Sequence, residues 1–162
     1  MKKITVLFLA LIPMAANASS IAIVDSGTDY RHTKFSAQYL KNSIDNSNNG
    51  TDDDRNGYVD DVLGWNFAEQ NNQVIDFSYL GKFSTDVPKF FEVQARILEG
   101  TATEEDKTWM KNKRNDEEFI KQLQVFGNFA HGTHVAGITA IPHKDNKVFA
   151  VKLIPTEVKL PG

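Results

Sequence analysis

The distribution of apolar residues predicts two short buried strands, one near each end of the chain. Ile21–Val24 is a continuous apolar run, rich in β-branched residues, that stops at Asp25. Val148–Ile154 is a second such run and is closed by Pro155. Continuous apolar character is typical of strands that are covered on both faces. We therefore expect both segments to belong to a parallel sheet.

The first predicted helix covers Asp86–Leu98. Pro88 suits its first turn, because the missing N–H of proline has no helical partner there anyway. Gly100 follows as a plausible stop. The apolar positions that we expect this helix to bury are Phe90, Phe91, Ile97 and Leu98.

Two more helices are predicted before the last strand. One runs from about Glu104 to Phe126, with Thr103 and Asp106 at its start in a capping arrangement. The other begins at or just after His131. The first two helices would form a hairpin that is inserted before His131. The order strand, insertion, helix, strand predicts an α/β fold, with a parallel sheet flanked by helices.

An Asn/Asp/Gly-rich loop spans residues 42–61, and an extended segment, Tyr58–Phe67, overlaps its end. Part of the loop follows the pattern of a calcium-binding loop, with Gly57 at the sharp turn. The candidate ligands at positions 1, 3, 5, 7 and 9 of that pattern are Asp52, Asp54, Asn56, Tyr58 and Asp60. Position 12 is Leu63, where a bidentate Glu is expected. Since Asn-Gly is also a strong turn signal, a solvated turn without metal remains an open interpretation.

Composition excludes several classes of protein. The 162 residues suffice for one ordinary domain, and 41% hydrophobic with 24% charged residues is typical of a globular chain. The absence of cysteine excludes disulfides, thiolate zinc sites and a cysteine nucleophile. With 18 basic and 21 acidic residues, the net charge is −3 and gives no support for a nucleic-acid partner.

The first 18 residues are typical of a secretory signal peptide. Lys2 and Lys3 form a positive start, Ile4–Ala15 is mostly apolar, and residues 16–18 read Ala-Asn-Ala, an A-x-A cleavage site. The apolar run is short for a bilayer span, so we expect no stable membrane anchor. We expect a secreted or periplasmic protein.

Two residues stand where catalytic chemistry is expected. Asp25 ends a predicted parallel strand, at the sheet edge where ligands bind in α/β folds. His131 starts the predicted last helix, where the positive end of the helix dipole would keep its imidazole neutral. A carboxylate that accepts the Nδ1 proton of such a histidine fixes the tautomer that a general base requires. Taken singly, Asp25 also fits an ordinary turn and His131 a capping residue.

The segments that hold these residues resemble a known family. IAIVDSGTDYRHTKF and NFAHGTHVAGITA are similar to the Asp and His motifs of subtilisin-like (subtilase) serine peptidases, and their order is the subtilisin order. NGYVDDVLGWNF and VFAVKLI also resemble family segments. The resemblance implies a partial subtilisin-like sheet formed by the N-terminal part of a catalytic domain. Residues 19–162 would form this partial domain, with an insertion at about 70–126 that resembles nothing in the family.

The resemblance implies a role for three residues. Asp25 would be the triad aspartate, His131 the triad base, and His134 a packed structural histidine. The Gly-Thr-Ser-Met-Ala motif that carries the family's serine is not present, and all eight serines precede His131. The oxyanion-hole asparagine of the family has no counterpart either. We therefore predict a serine endopeptidase acting on proteins or peptides, whose 162-residue chain is inactive alone and needs no cofactor for catalysis, with calcium as a possible ligand.

Two other functions remain open from the sequence. His131, His134 and Asp25 could together hold zinc for hydrolysis. The chain could instead be a non-catalytic, secreted calcium-binding or interaction module derived from a peptidase. A parallel sheet cut midway would also expose a strand edge and an apolar face, so we expect low stability or aggregation.

Overall fold

The computed structural model describes residues 19–46 and 48–158. The predicted signal peptide, residues 1–18, lies outside the described residues and stays a prediction. The strands are β1 (Ser20–Asp25), β2 (Gly64–Asn66) and β3 (Lys147–Lys152). The α-helices are α1 (Asp86–Leu98), α2 (Glu104–Arg114) and α3 (Glu117–Ala140).

The three strands form one parallel sheet in the order β1-β3-β2, which confirms the predicted α/β class. Asp25 of β1 and Asn66 of β2 are both level with Lys152 of β3, so the carboxyl ends of the strands meet at one edge. β3 ends two residues earlier than predicted. The reason is that Leu153 N and Ile154 N both donate to Asp25 O, at 2.8 and 3.3 Å, which turns the chain over the end of β1.

Helix α3 covers only one face of the sheet. Ile23, Val148 and Ala150 are buried on that face, against Ala136 and Ala140 of the helix. On the opposite face Val24 is 56% exposed. The expectation that β1 is buried on both faces is therefore wrong within the described residues, because nothing among them packs over Val24.

The insertion has a hydrophobic core of its own, formed where α1, α2 and the first half of α3 meet. Its buried residues are Val87, Phe90, Val93, Met110 and Phe119. The predicted bounds of α1 are confirmed, but its predicted buried face is wrong in part. Phe91, Ile97 and Leu98 are exposed, because α1 turns toward its neighbours the face formed by Val87, Phe90 and Val93.

The predicted boundaries of the last two helices are wrong. α2 stops at Arg114, and the side chain of Asp116 then accepts a hydrogen bond from Phe119 N at 3.0 Å and caps a new helix. That helix, α3, continues without a break through His131 to Ala140. The predicted cap of α2 is confirmed, since Thr103 and Asp106 form a reciprocal capping box. No helix among residues 19–46 and 48–158 is both long and apolar enough to cross a bilayer.

Candidate active site

Asp25 is held at the end of β1 by its own backbone and by the residue that follows it. Its carbonyl accepts the two amides beyond β3, and its Oδ1 accepts a hydrogen bond from Ser26 N at 2.7 Å. The Asp25 side chain is 13% exposed. The Asp25 carboxylate lies on the side of β1 that faces α3, where it contacts His131.

His131 of α3 meets this carboxylate. Its Nδ1 lies 2.7 Å from Oδ1 and 2.9 Å from Oδ2 of Asp25, and the imidazole is 62% exposed. Because an ionised carboxylate only accepts hydrogen bonds, Nδ1 carries the proton and donates it to Asp25. Partial burial raises the pKa of Asp25, but the hydrogen bonds from His131 and from Ser26 N outweigh burial and hold that pKa below its ordinary value. Asp25 is therefore ionised at neutral pH.

The physical reason predicted for a neutral His131 is wrong. His131 does not lie in the first turn of a helix, since α3 begins at Glu117 and His131 is more than halfway along it. The dipole effect is confined to the terminal turns and does not reach that position. The tautomer of His131 is set by Asp25 instead.

Close packing of α3 on the turn after β1 brings the two residues together. A Cβ on Gly132 would come 2.1 Å from Gly27 O, so only glycine permits this approach. Gly132 N donates to Ser26 Oγ at 3.2 Å, and Asp29 N donates to Thr133 Oγ1 at 2.9 Å. Ser26 and Thr133 were not predicted as site residues, although both lie inside the motifs that were singled out.

The pair lies on a groove of about 1,040 Å³ between α3, the 79–83 segment of the insertion and the chain after β3. Among residues 19–46 and 48–158, no group makes a hydrogen bond to Nε2 of His131. Nε2 is the basic nitrogen of the tautomer that Asp25 selects. The arrangement can therefore take a proton from a nucleophile that enters the groove, while Asp25 stabilises the imidazolium that forms.

Ser26 is next to this pair but is not placed to act as the nucleophile. It is 3% exposed, and its hydroxyl oxygen is occupied by Gly132 N. Its role in the site is to hold the turn after β1 against α3.

The predicted packed role of His134 is wrong, because its side chain is exposed. It lines a separate, largely apolar cavity of about 690 Å³ together with His32. The zinc interpretation is also wrong on geometry. The group of metal-ligating side chains that the described residues bring together does not contain Asp25, His131 or His134.

That group is formed by Asp45, Asp52 and Asp54, whose carboxylate oxygens lie within 4.8 Å of one another. Two of the three were predicted as calcium ligands. Asp60 of the predicted set points elsewhere, since its carboxylate accepts the amides of Asn49 and Gly50.

The other two predicted calcium ligands have other neighbours. The Asn56 side chain donates to Asp54 and Asp61, at 3.1 and 3.0 Å. The Tyr58 ring packs 5.1 Å from that of Trp65, and the role predicted for the Tyr58 backbone carbonyl stays a prediction.

Asp45 was missed by sequence reasoning. It is only 5% exposed, and its two oxygens accept Asp53 N and Asp61 N, at 2.7 and 2.9 Å. A carboxylate seven residues before the loop pattern carries no local signal for this role. The fold of the loop brings it there.

Comparison with known proteins gives one match, to a family model. A family model described as the subtilase family, peptidase S8, matches residues 16–160. No curated protein matches the chain, and no solved structure matches it. The family match spans most of the chain and includes both motifs that form the pair, so the chain belongs to the subtilase family of serine-type peptidases.

Proposed function

We propose that the chain is the Asp- and His-bearing part of a secreted serine endopeptidase that hydrolyses peptide bonds in proteins. The observation that carries this proposal is the contact between His131 Nδ1 and the Asp25 carboxylate at 2.7 Å, on an open groove. The subtilase family supplies the reaction class.

In this proposal His131 is the general base and Asp25 its orienting partner. Nε2 accepts the hydroxyl proton of a serine as that serine attacks the substrate carbonyl, and later returns the proton to the leaving amine. Asp25 stays ionised throughout, which its lowered pKa supports. The serine and the oxyanion-hole donor would come from polypeptide outside these 162 residues, because their motifs are not in the sequence.

The test is hydrolysis of fluorescent casein by the product of the natural gene, purified from its own host, beside the isolated 162-residue chain. We expect the natural product to hydrolyse casein and to be blocked by a serine-directed sulfonyl fluoride. Replacing His131 by Ala should lower the rate by about a thousandfold or more, because the serine loses its base. The isolated chain should hydrolyse nothing.

His143→Ala is the matched control, since His143 lies in an exposed turn after α3 and its hydrogen bonds to the described residues use only its backbone atoms. The control should keep full activity. Activity that survives His131→Ala, or no activity from the natural product, would contradict the proposed function.

Export is proposed from residues 1–18. Mass spectrometry of the protein recovered from its host should find Ser19 as the new N-terminus, in the periplasm or the medium. A product that stays in the cytoplasm with Met1 attached would overturn this part of the proposal.

We propose, as a second function, that the Asp45–Asp52–Asp54 cluster binds calcium. Three carboxylates with oxygens within 4.8 Å offer the hard oxygen ligands that Ca²⁺ prefers. The backbone amides of Asn56 and Gly57 donate to the two oxygens of Asp52, at 3.0 and 2.8 Å, and hold this carboxylate in the cluster. The same cluster is the feature that favours the alternative of a non-catalytic calcium-binding module.

Isothermal titration of the chain with CaCl₂ tests this function. We expect binding heat with the unsubstituted chain and none with Asp45→Asn. The control is Asp145→Asn, which changes an exposed aspartate elsewhere and should leave the binding heat unchanged. No heat with the unsubstituted chain would rule the calcium function out.

A further inference from the structure

Lys152 is a buried lysine that the proposed peptidase function does not use. It belongs to β3 and is only 2% exposed. An ammonium group has three protons to donate, and its burial is costly unless they are matched. Within the described residues, Lys152 Nζ makes one hydrogen bond, to Thr156 Oγ1 at 3.3 Å, and one longer contact, to Glu69 Oε2 at 3.8 Å. A buried amine that is matched this weakly is a candidate nucleophile.

Asn66 is the neighbour of Lys152 on the adjacent strand. The two residues are register partners of β2 and β3. Their side chains therefore leave the sheet on the same face, from strands that lie about 4.8 Å apart. Asn66 is also fully buried. The fold thus confines an amine and a carboxamide together at the carboxyl edge of the sheet.

Glu69 contacts both of these groups through the same oxygen atom. Its Oε2 accepts a hydrogen bond from Asn66 Nδ2 at 2.7 Å and lies 3.8 Å from Lys152 Nζ. Its backbone amide donates to Asn66 Oδ1 at 3.1 Å, the oxygen on which negative charge would develop if the carboxamide were attacked. Glu69 therefore offers a proton acceptor to the amine, a proton donor to the amide nitrogen, and a hydrogen bond to the oxyanion.

We propose that Lys152 and Asn66 become joined by an isopeptide bond once the chain has folded. Lys152 Nζ gives a proton to Glu69 and attacks Asn66 Cγ, which forms the new C–N bond. The bond between Cγ and Nδ2 then breaks. Glu69 passes the two protons that Nζ loses to Nδ2, which leaves as an ammonium ion. A lysine ammonium and a carboxamide thus become an amide and an ammonium ion, so atoms and charge balance without an oxidant or any other reactant.

The surroundings of the three side chains favour this reaction. Lys152 and Asn66 are shielded from water, whereas the Glu69 side chain is 49% exposed. The released ammonium ion therefore has a way out past Glu69. Because the fold holds the two reactants side by side, much of the entropic barrier of a bimolecular reaction is already overcome.

The bond would tie β2 to β3 at the level of the catalytic pair. Asp25 is the register partner of Lys152 on the other side of β3. The chain has no cysteine, so a disulfide cannot serve this purpose. The isopeptide bond would fasten the sheet edge that holds Asp25, although its formation does not depend on peptidase activity.

The test is mass spectrometry of tryptic peptides from the purified 162-residue chain. Trypsin does not cleave after a lysine whose amine has become an amide. We expect Asn56–Lys82 and Val148–Lys159 to appear as one linked pair, lighter than the sum of the two by one ammonia. Fragment ions should place the link between Asn66 and Lys152.

Two variants test the roles of the side chains. Glu69→Gln keeps a hydrogen-bonding group but loses the carboxylate, and it should lower the rate of linking by about a hundredfold. Glu99→Gln is the matched control, which changes an exposed glutamate and should leave the linked pair unchanged. Lys152→Met removes the amine and should yield Asn56–Lys82 as a free peptide. Far-ultraviolet circular dichroism checks that each variant is folded.

Three results would overturn the proposal. The first is an unsubstituted chain that trypsin cleaves after Lys152, with Asn56–Lys82 recovered free. The second is a pair that has lost water instead of ammonia, which would mean that Lys152 joins the Glu69 carboxylate. The third is a linked pair that forms as fast in Glu69→Gln as in the unsubstituted chain.

Discussion

The two halves of α3 pack in different ways. The first half packs through large apolar residues, with Phe119, Leu123 and Phe126 set against α1, α2 and the 79–83 segment. The second half packs through Gly132, Ala136 and Ala140, which bring the helix backbone close to the sheet. Large side chains hold elements apart and fill the space between them, whereas small ones let backbones approach.

His131 lies just where one mode of packing gives way to the other. The close-packed half sets the distance from His131 to Asp25, and the aromatic half builds one wall of the groove in front of it. One continuous helix therefore connects the insertion to the catalytic pair. We therefore expect the first half of α3 to be sensitive to a loss of side-chain volume and the second half to a gain.

A loss of side-chain volume in the aromatic half should destabilise the protein more than any other change considered below. Phe119→Ala removes a ring that is 5% exposed and lies 5.6 Å from that of Phe90. We expect it to lower the free energy of unfolding by about 3–5 kcal/mol, measured by urea denaturation. Leu98→Ala, at a residue that is 81% exposed, is the control and should change little. Equal effects of the two substitutions would mean that the insertion core is not packed as described.

A gain of volume should break the close-packed half. Gly132→Ala should destabilise the protein by about 1–3 kcal/mol, although alanine is the better helix former, because its methyl group collides with Gly27 O. We also expect the low-field NMR signal of the His131 Nδ1 proton to disappear as α3 moves away from Asp25. A stabilised Gly132→Ala variant that keeps this signal would contradict the close approach.

A smaller effect should come from the start of α2, within the insertion. Thr103→Ala removes the side-chain oxygen that accepts Asp106 N at 3.1 Å. The expected loss is about 1 kcal/mol, read from the urea midpoint, with the His131 proton signal unchanged. Thr108→Ala, on the same helix and away from its cap, is the comparison. A change in the His131 signal would show that the two halves are coupled more tightly than we expect.

The smallest effect is a pH dependence that belongs to the insertion alone. Arg96 donates to both oxygens of Asp106, at 2.9 and 2.7 Å, and with Thr103 N lowers the pKa of Asp106 to about 2. That pKa is lower in the folded than in the unfolded chain, so ionised Asp106 stabilises the fold. Its contribution to the free energy of unfolding is complete above about pH 4 and is lost as the pH falls toward 2. Hydrogen exchange of the α1 and α2 amides should become faster as the pH falls between these values, relative to the intrinsic rate. The Asp106→Asn variant should lack this pH dependence. A loss of amide protection as the pH is raised would contradict the stabilising role of the Arg96–Asp106 ion pair.

Much of the fold could be predicted from local sequence. The bounds of α1, the capping box of α2 and the strand that ends at Asp25 follow from proline placement, capping residues and β-branched runs. Each of these depends on neighbours within a few positions. The break before Glu117 was missed, because its cap at Asp116 lies within a charged stretch without a clear apolar period.

The pairing of Asp25 with His131 could be predicted in part. Their residue types and motifs pointed to the pair, and the distance of 2.7 Å agrees with it. The helix-dipole argument for His131 is wrong, because it requires a helix that begins at His131, whereas α3 begins at Glu117. Asp45 was missed for a related reason, because its place beside Asp52 depends on how the loop folds back.

The amino-acid sequence was enough to show which chemical groups are available: a carboxylate that ends an apolar strand, a histidine among small residues, and an aspartate-rich loop. The packed fold was needed to show which of these groups meet and which face of the sheet is covered. These two kinds of feature depend on interactions that reach over very different distances along the chain. Capping, turns and strand propensity act over a few residues, whereas the contact between Asp25 and His131 joins residues 106 positions apart and depends on the packing of a whole helix.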